Sequence, residues 1–245
     1  MLSHDRDLRE PLFDYLEETY GKIRVLEEKK TGKSRADLVM VLPDALCGIE
    51  IKSDTDTYER LAGQVRDYDR YYSYNIVVVG TRHAAHIEEH VPDWWGIITV
   101  EWEQDRWDFY CLRKPGPNPE CRWEKELQIL WRPELAAIQE HYGMPKYKEK
   151  SKAFVIGKLI AAAGADTPEG AAELSALVSE QLFERDYTRA AEELADYRRG
   201  EIDKQLDQVT DPKERMELIL KQEEARISLK GRRRKRRRRK RTGYL

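Results

Sequence analysis

Cysteine is scarce in this chain: three in 245 residues, Cys47, Cys111 and Cys121, far apart and without a CxxC pair. That spacing excludes a disulfide framework, a zinc ribbon and a cysteine-ligated iron–sulfur cluster, and the thiols are read as reduced. No apolar run approaches the roughly 20 residues needed to span a bilayer. The opening stretch MLSHDRDLRE also lacks the apolar core of a secretory signal. No membrane partner is expected, and a cytoplasmic location is the default. Apolar residues are not lacking overall, since 40% of the chain is hydrophobic beside 37% charged. Such a chain folds with a strongly ionic surface. Its length allows one ordinary domain with a substantial addition, or two small ones.

The formal net charge of −2 conceals an asymmetry. Arg232, Arg233, Arg234, Lys235, Arg236, Arg237, Arg238, Arg239, Lys240 and Arg241 form an uninterrupted basic run, and without it 34 Lys and Arg face 46 Asp and Glu, a balance of −12. Ten adjacent cations repel one another, so the tail is expected to be disordered when free and to attract polyanions. Nucleic acid is the favoured partner. The alternatives are a contact with the acidic body of the chain or with an acidic partner. If all ten neutralised phosphates, the salt slope of duplex binding would approach about −9 as an upper bound.

Residues 5–20 place Leu8, Leu12, Leu16 and Tyr20 at four-residue steps, the stripe of an amphipathic helix that begins near Pro11 or is kinked there. IRVLEE reads as a strand, followed by a turn at Thr31, Gly32 and Lys33. ADLVMVL and CGIEIK are two more strands, joined as an antiparallel hairpin by PDAL. Residues 57–72 change to helical period, with Leu61, Val65, Tyr68 and Tyr72 on one face. NIVVVG and GIITVEW read as buried strands, so strand, helix and strand suggest a parallel crossover. Proline and glycine gather at 113–120, where a boundary is placed. Beyond it the pattern is helical over 124–140 and 151–230, with breaks at GADTPEG, YRRGE and TDPKER and a polar last helix near 211–230. The expected organisation is an α/β core over 1–115, a helical region over 123–230 and a basic tail over 231–245.

Within CGIEIK, Ile49 and Ile51 face one way and Glu50 and Lys52 the other. Folding the hairpin about Asp44 brings Asp37 opposite residues 50–52. Two carboxylates and an ammonium then share one patch. Paired carboxylates repel unless a cation or proton intervenes, and a hard divalent ion prefers oxygen ligands. Such an ion polarises a phosphate oxygen and lowers the pKa of bound water, while a lysine stabilises developing negative charge. This is equipment for hydrolysing a phosphodiester.

Asp37, a gap, then Glu50-Ile51-Lys52 resembles the PD-(D/E)xK nuclease motif, with RAD in place of the family's Pro-Asp. Gln64 and Tyr68 resemble the QxxxY helix motif of its RecB-like branch. Taken together, RADLVMV, GIEIKSDTDTYERLAGQVRDYD, VPDWWGII and ELQILWRPEL resemble the Sce7726 family of bacterial and phage proteins, over roughly residues 5–190. The resemblance implies a restriction-endonuclease-like mixed β-sheet core flanked by helices. It implies Asp37, Glu50 and the Ile51 carbonyl as ligands of Mg²⁺ or Mn²⁺, and Lys52 as the group that orients the attacking water or stabilises the transition state. Gln64 and Tyr68 would position substrate or Lys52. Superfamily members often add an upstream acid; Glu28 is the candidate, with Glu10 and Glu17 open.

Other signals are set aside. His83, His86 and His90 have zinc-compatible helical spacing but are read as a solvated turn or helix end. Trp94 and Trp95 could stack on bases, yet burial where the chain re-enters the sheet is preferred. Ser53, Asp54 or Asp56 is expected to cap the following helix, with Glu59 favoured there by the helix dipole. Arg60 is left between substrate contact and surface salt bridge. The function expected is a divalent-metal-dependent nuclease, DNA favoured over RNA and an endonuclease favoured, with a protein partner or homodimer open. The alternative is a non-catalytic nucleic-acid-binding module on a nuclease fold.

Overall fold

In the computed structural model the described residues are 5–147 and 149–185; the expected helix near 211–230 and the basic run 232–241 lie outside them. The first helix, α1 (Asp5–Tyr20), runs through Pro11 without a break and ends at Gly21, whose φ of 76° and N–H bond to the Glu17 carbonyl close it. Its stripe of Leu8, Leu12 and Leu16 is fully buried.

Strands β1 (Arg24–Thr31), β2 (Ser34–Leu42) and β3 (Ala45–Lys52) form an antiparallel meander through two tight turns, at Gly32-Lys33 and Pro43-Asp44. After helix α2 (Leu61–Tyr71), strand β4 (Tyr74–Gly80) lies parallel to β3, and β5 (Gly96–Glu103) parallel to β4. The result is a mixed six-stranded sheet in sequential order, β1 to β6, within an α/β fold. The last strand, β6 (Arg106–Arg113), was not anticipated. It returns antiparallel through Gln104 and Asp105, both with positive φ (50° and 61°), a conformation that hairpin turns of two residues require.

The two sheet faces are buried by different helices. Ile49 and Ile51 pack with Leu38, Ile76 and the leucines of α1. The opposite face, with Val39, Leu46, Val77 and Val79, packs under Leu61, Val65, Tyr68 and Tyr72 of α2 and its C-terminal flank. The described residues through Glu184 form one compact unit. The stretch 113–120 runs across the end of α2, with Asn118 Nδ2 donating to the carbonyls of Asp69 and Tyr72. It leads to helices that join this second core, α4 (Trp123–Glu126), α5 (Arg132–His141), α6 (Lys152–Ala163) and α7 (Pro168–Glu184), whereas the short α3 (Thr81–Ala84) directly follows β4. Ser151 caps α6, and Gly164, left-handed at φ 59°, ends it where the break at GADTPEG was expected. None of the described helices is long and apolar enough to cross a membrane.

One buried carboxylate ties this helical part to the sheet. Glu126, 2% exposed, accepts from Ser73 Oγ at 3.0 Å and Cys121 Sγ at 3.1 Å beside a cavity of about 310 Å³. Burial pushes its pKa up to about 7, the two donors pulling the other way. Because the folded pKa is raised, Glu126 contributes stability fully below the unfolded value near 4.5, and that contribution is lost as pH rises through 7. At ~1.4 kcal/mol per unit the loss is about 3 kcal/mol. Glu126→Gln keeps the acceptor for Ser73 and removes the titration. Urea unfolding of both forms between about pH 4.5 and 7.5 should therefore show the variant gaining about 3 kcal/mol relative to wild type; parallel curves would mean that Glu126 ionises freely in the fold.

Candidate active site

Strands β2 and β3 stay paired from Leu42 opposite Ala45 to Leu38 opposite Ile49. One residue further, where Asp37 would face Glu50, the side chain takes over from the ladder: the Ile51 N–H donates to Asp37 Oδ2 at 2.9 Å. The end of β3 opens here into a cavity of about 770 Å³, with Asp37, Glu50, Ile51 and Lys52 on its wall. Register thus delivers the three residues singled out by the hairpin argument to one place.

Helix α2 supplies the rest. Gln64 and Tyr68 are one turn apart and face β3. Tyr68 is fully buried; its hydroxyl donates to Glu50 Oε2 at 2.6 Å and accepts from the Asp37 N–H at 3.2 Å. Desolvation, followed by the negative charges of Glu50 and Asp37, holds its pKa well above the usual tyrosine value. The hydroxyl therefore stays a proton-bearing donor. Gln64 Nε2 donates to Glu50 Oε1, and Gln64 Oε1 accepts from Lys52 Nζ at 3.0 Å. Lys52 Nζ in turn stands 2.9 Å from Glu50 Oε1. Glu50, Lys52 and Gln64 close a ring of contacts, with Tyr68 fixing the other carboxylate oxygen.

Two features that support this arrangement escaped the sequence reading. Gly48, two residues before Glu50, lies under α2: a Cβ there would stand 2.3 Å from the Tyr72 ring and 2.7 Å from the Tyr68 ring. A glycine inside an apolar strand is the available signal for such close approach. Asp67 clamps the β1–β2 turn, accepting from the backbone N–H of Lys33 at 3.0 Å and of Ser34 at 2.8 Å. Nothing in the spacing of Asp67 marks that contact beforehand.

The structure places the candidate upstream acid away from the cavity lining. Glu28 has φ 51° and sits between the Glu27–Leu38 and Lys29–Ala36 pairs, out of the regular ladder. Its exposed carboxylate lies 3.3 Å from Arg35 and 4.0 Å from Arg9 and does not line the cavity. Glu10 and Glu17 are exposed on α1, which covers the sheet face opposite Glu50 and Lys52. Among the described residues no three Asp, Glu, His or Cys side chains form a metal-binding group. The cavity wall therefore offers two carboxylates, of Asp37 and Glu50, and with the Ile51 carbonyl that the resemblance implies, such an all-oxygen set would suit Mg²⁺, which binds through one or two carboxylates and keeps several waters.

The remaining expectations divide. Trp95 is fully buried, and Trp94 and Trp95 both donate to Asp69 Oδ1, at 3.1 and 2.7 Å, so this pair anchors the core instead of presenting rings to bases. Burial raises the pKa of Asp69, with the indole donors opposing it. His83 is buried, not solvated: Nδ1 meets Tyr58 Oη at 2.9 Å and Nε2 the Ser53 carbonyl at 3.0 Å, while His86 and His90 are exposed. No side chain caps α2, whose N-cap position is Arg60. Asp56 instead accepts from the Ser53 N–H at 2.8 Å, and Asp54 from the Arg82 N–H at 3.2 Å, because the loop after β3 delays the helix to Leu61.

Residues 7–165 match the family model described as bacteriophage P4 protein cII. No curated protein matches the chain. Among solved structures, SfsA of Pyrococcus furiosus in complex with Ca²⁺ is similar at 13% identity over 46% of this chain, with a TM-score of 0.29. The chain spans 64% of the length of that protein.

Proposed function

The chain belongs to the bacteriophage P4 protein cII family, and we propose that it is a divalent-metal-dependent nuclease with a PD-(D/E)xK-type site on a restriction-endonuclease-like core, cleaving phosphodiester bonds of nucleic acid. DNA is favoured over RNA. The observation that carries this reading is the convergence of Asp37, Glu50, Lys52 and Gln64 on one cavity wall, from two strands and one helix, with buried Tyr68 bonded to Glu50 behind it. Asp37, Glu50 and the Ile51 carbonyl would hold Mg²⁺ or Mn²⁺, which when bound polarises the scissile phosphate and acidifies a water.

The chain's own groups have separable parts in the reaction. The Lys52 ammonium, held by Gln64 and Glu50, faces the charge that grows on the phosphoryl oxygens as water adds to phosphorus and the ester P–O bond breaks. Gln64 fixes the direction of that ammonium. Neutral Tyr68 donates to Glu50 and so sets the orientation of the carboxylate. The basic run 232–241, known here from sequence, would raise affinity for the polymer.

One observation favours a second reading. Both oxygens of Glu50 are already engaged, by Lys52, Gln64 and Tyr68, as suits a binding module that never loads metal. The test is a cleavage assay on circular and linear single- and double-stranded DNA and on RNA, with Mg²⁺ or Mn²⁺ and an EDTA control. Cleavage is expected with either ion and absent in EDTA. Folded protein that binds these polymers and cuts none of them would establish the binding module instead.

A further inference from the structure

Three cations lining the cavity have no partner for their charge among the described residues. Lys33, Arg60 and Arg66 are exposed, and none of their side chains forms an ion pair or hydrogen bond among the described residues. The other charged lining groups behave differently: Arg35 pairs with Glu28, Lys52 with Glu50, Asp37 accepts from the Ile51 N–H, and Asp56 is taken by Ser53, which leaves Glu59 as an exposed acid at the rim. Like charges gathered on one cavity repel unless an anion enters it. The first turn of α2 adds to the same field, since it carries no acidic side chain and its dipole presents positive charge to the cavity.

The placement of the three is informative. Arg60 stands at the N-cap of α2, Arg66 about one and two-thirds turns on, and Lys33 on the hairpin turn whose backbone is held by Asp67. At ~1.5 Å per residue, Arg60 and Asp67 lie about 10 Å apart along the helix. Gln64, which holds Lys52, is between them. Cations therefore stand on both sides of the lysine in the reaction centre.

We propose that Lys33 with Arg66 on one side, and Arg60 on the other, take the phosphates that flank the bond to be cut, so that the substrate is a nucleic-acid strand continuing in both directions. A mononucleotide or a chain end would leave one side empty. The assignment rests on the nuclease reading for the bond that is cut, but not for the binding itself.

The test separates the two. Binding of a labelled strand of about 20 nucleotides, single and duplex, is measured by anisotropy in EDTA over a range of salt, for the full chain and for Lys33→Ala/Arg60→Ala/Arg66→Ala; every form retains the same basic tail. With roughly 0.7–0.9 of salt slope per phosphate contact, the triple variant should lose about two from the slope. Each single variant should weaken binding by up to about fivefold, as suits exposed charge contacts. An unchanged slope overturns the anchors. With Mg²⁺ or Mn²⁺, the wild type should open covalently closed circular DNA; digestion of linear DNA from its ends with circles intact overturns the flanking arrangement. A lost slope without cleavage of any substrate supports the anchors and defeats the nuclease reading alone.

Discussion

Lys52→Ala should lower the proposed metal-dependent cleavage by roughly 10³-fold, with little change in KM, the loss expected when one preorganised electrostatic stabiliser of a transition state is removed. Glu50→Gln loses at least as much, because one of only two carboxylates in the donor set becomes a neutral amide. Gln64→Ala acts through its neighbours: it frees Lys52 Nζ from its 3.0 Å acceptor and takes a donor from Glu50, so a loss of about 10–100-fold is expected. Glu28→Ala should leave the rate where it was, its carboxylate being committed to Arg35 and turned from the cavity. Single-turnover rates on one DNA substrate rank the four variants. Wild-type rates from Lys52→Ala, or a Glu28→Ala loss as large as that of Glu50→Gln, would sink the assignment of this site.

The parts of this arrangement that were legible beforehand are those fixed by strand period. Alternation alone puts Glu50 and Lys52 on one side of β3, and the two-residue turn at Pro43-Asp44 sets the register that brings Asp37 to them. The helical period then places Gln64 and Tyr68 on the face of α2 that meets β3. Glu28 lies away from the cavity because its φ of 51° takes that residue out of the alternation within β1, whereas period-two reasoning assumes regular extended backbone. The delayed start of α2 was hidden for a related reason: Ser53, Asp54 and Asp56 are good cap residues by type, but their bonds are spent within the loop and on Arg82. Strand β6 was missed because exposed Tyr110 and Leu112 blur the alternation of half-buried Trp107, Phe109 and Cys111, and because Gln104-Asp105 lacks the glycine that usually announces such a turn. The anchoring of Trp94 and Trp95 on Asp69 joins positions about 25 residues apart, and no local pattern encodes it.

The Glu50–Lys52 pair should also dominate stability, and here a double-mutant cycle gives the largest effect. Both side chains are nearly out of solvent, at 2% and 4% exposure, and 2.9 Å apart. Removing one partner from such a pair leaves a buried charge uncompensated and costs about 3–5 kcal/mol, whereas removing both is commonly neutral or stabilising. The two single losses should differ. In Lys52→Met the carboxylate keeps donors from Tyr68 and Gln64, while in Glu50→Gln the ammonium keeps only the Gln64 oxygen and a neutral amide, so Glu50→Gln should be the more destabilising. The double variant Glu50→Gln/Lys52→Met should return close to wild type, with a coupling of about 3 kcal/mol or more. Urea midpoints at a shared m-value measure all four corners. If the two single losses simply add, the pair is not a buried unit and the ring with Gln64 does not hold it. If the coupling is found, the double variant is a folded chain without the proposed chemistry, the control that separates lost catalysis from lost fold in every comparison at this site.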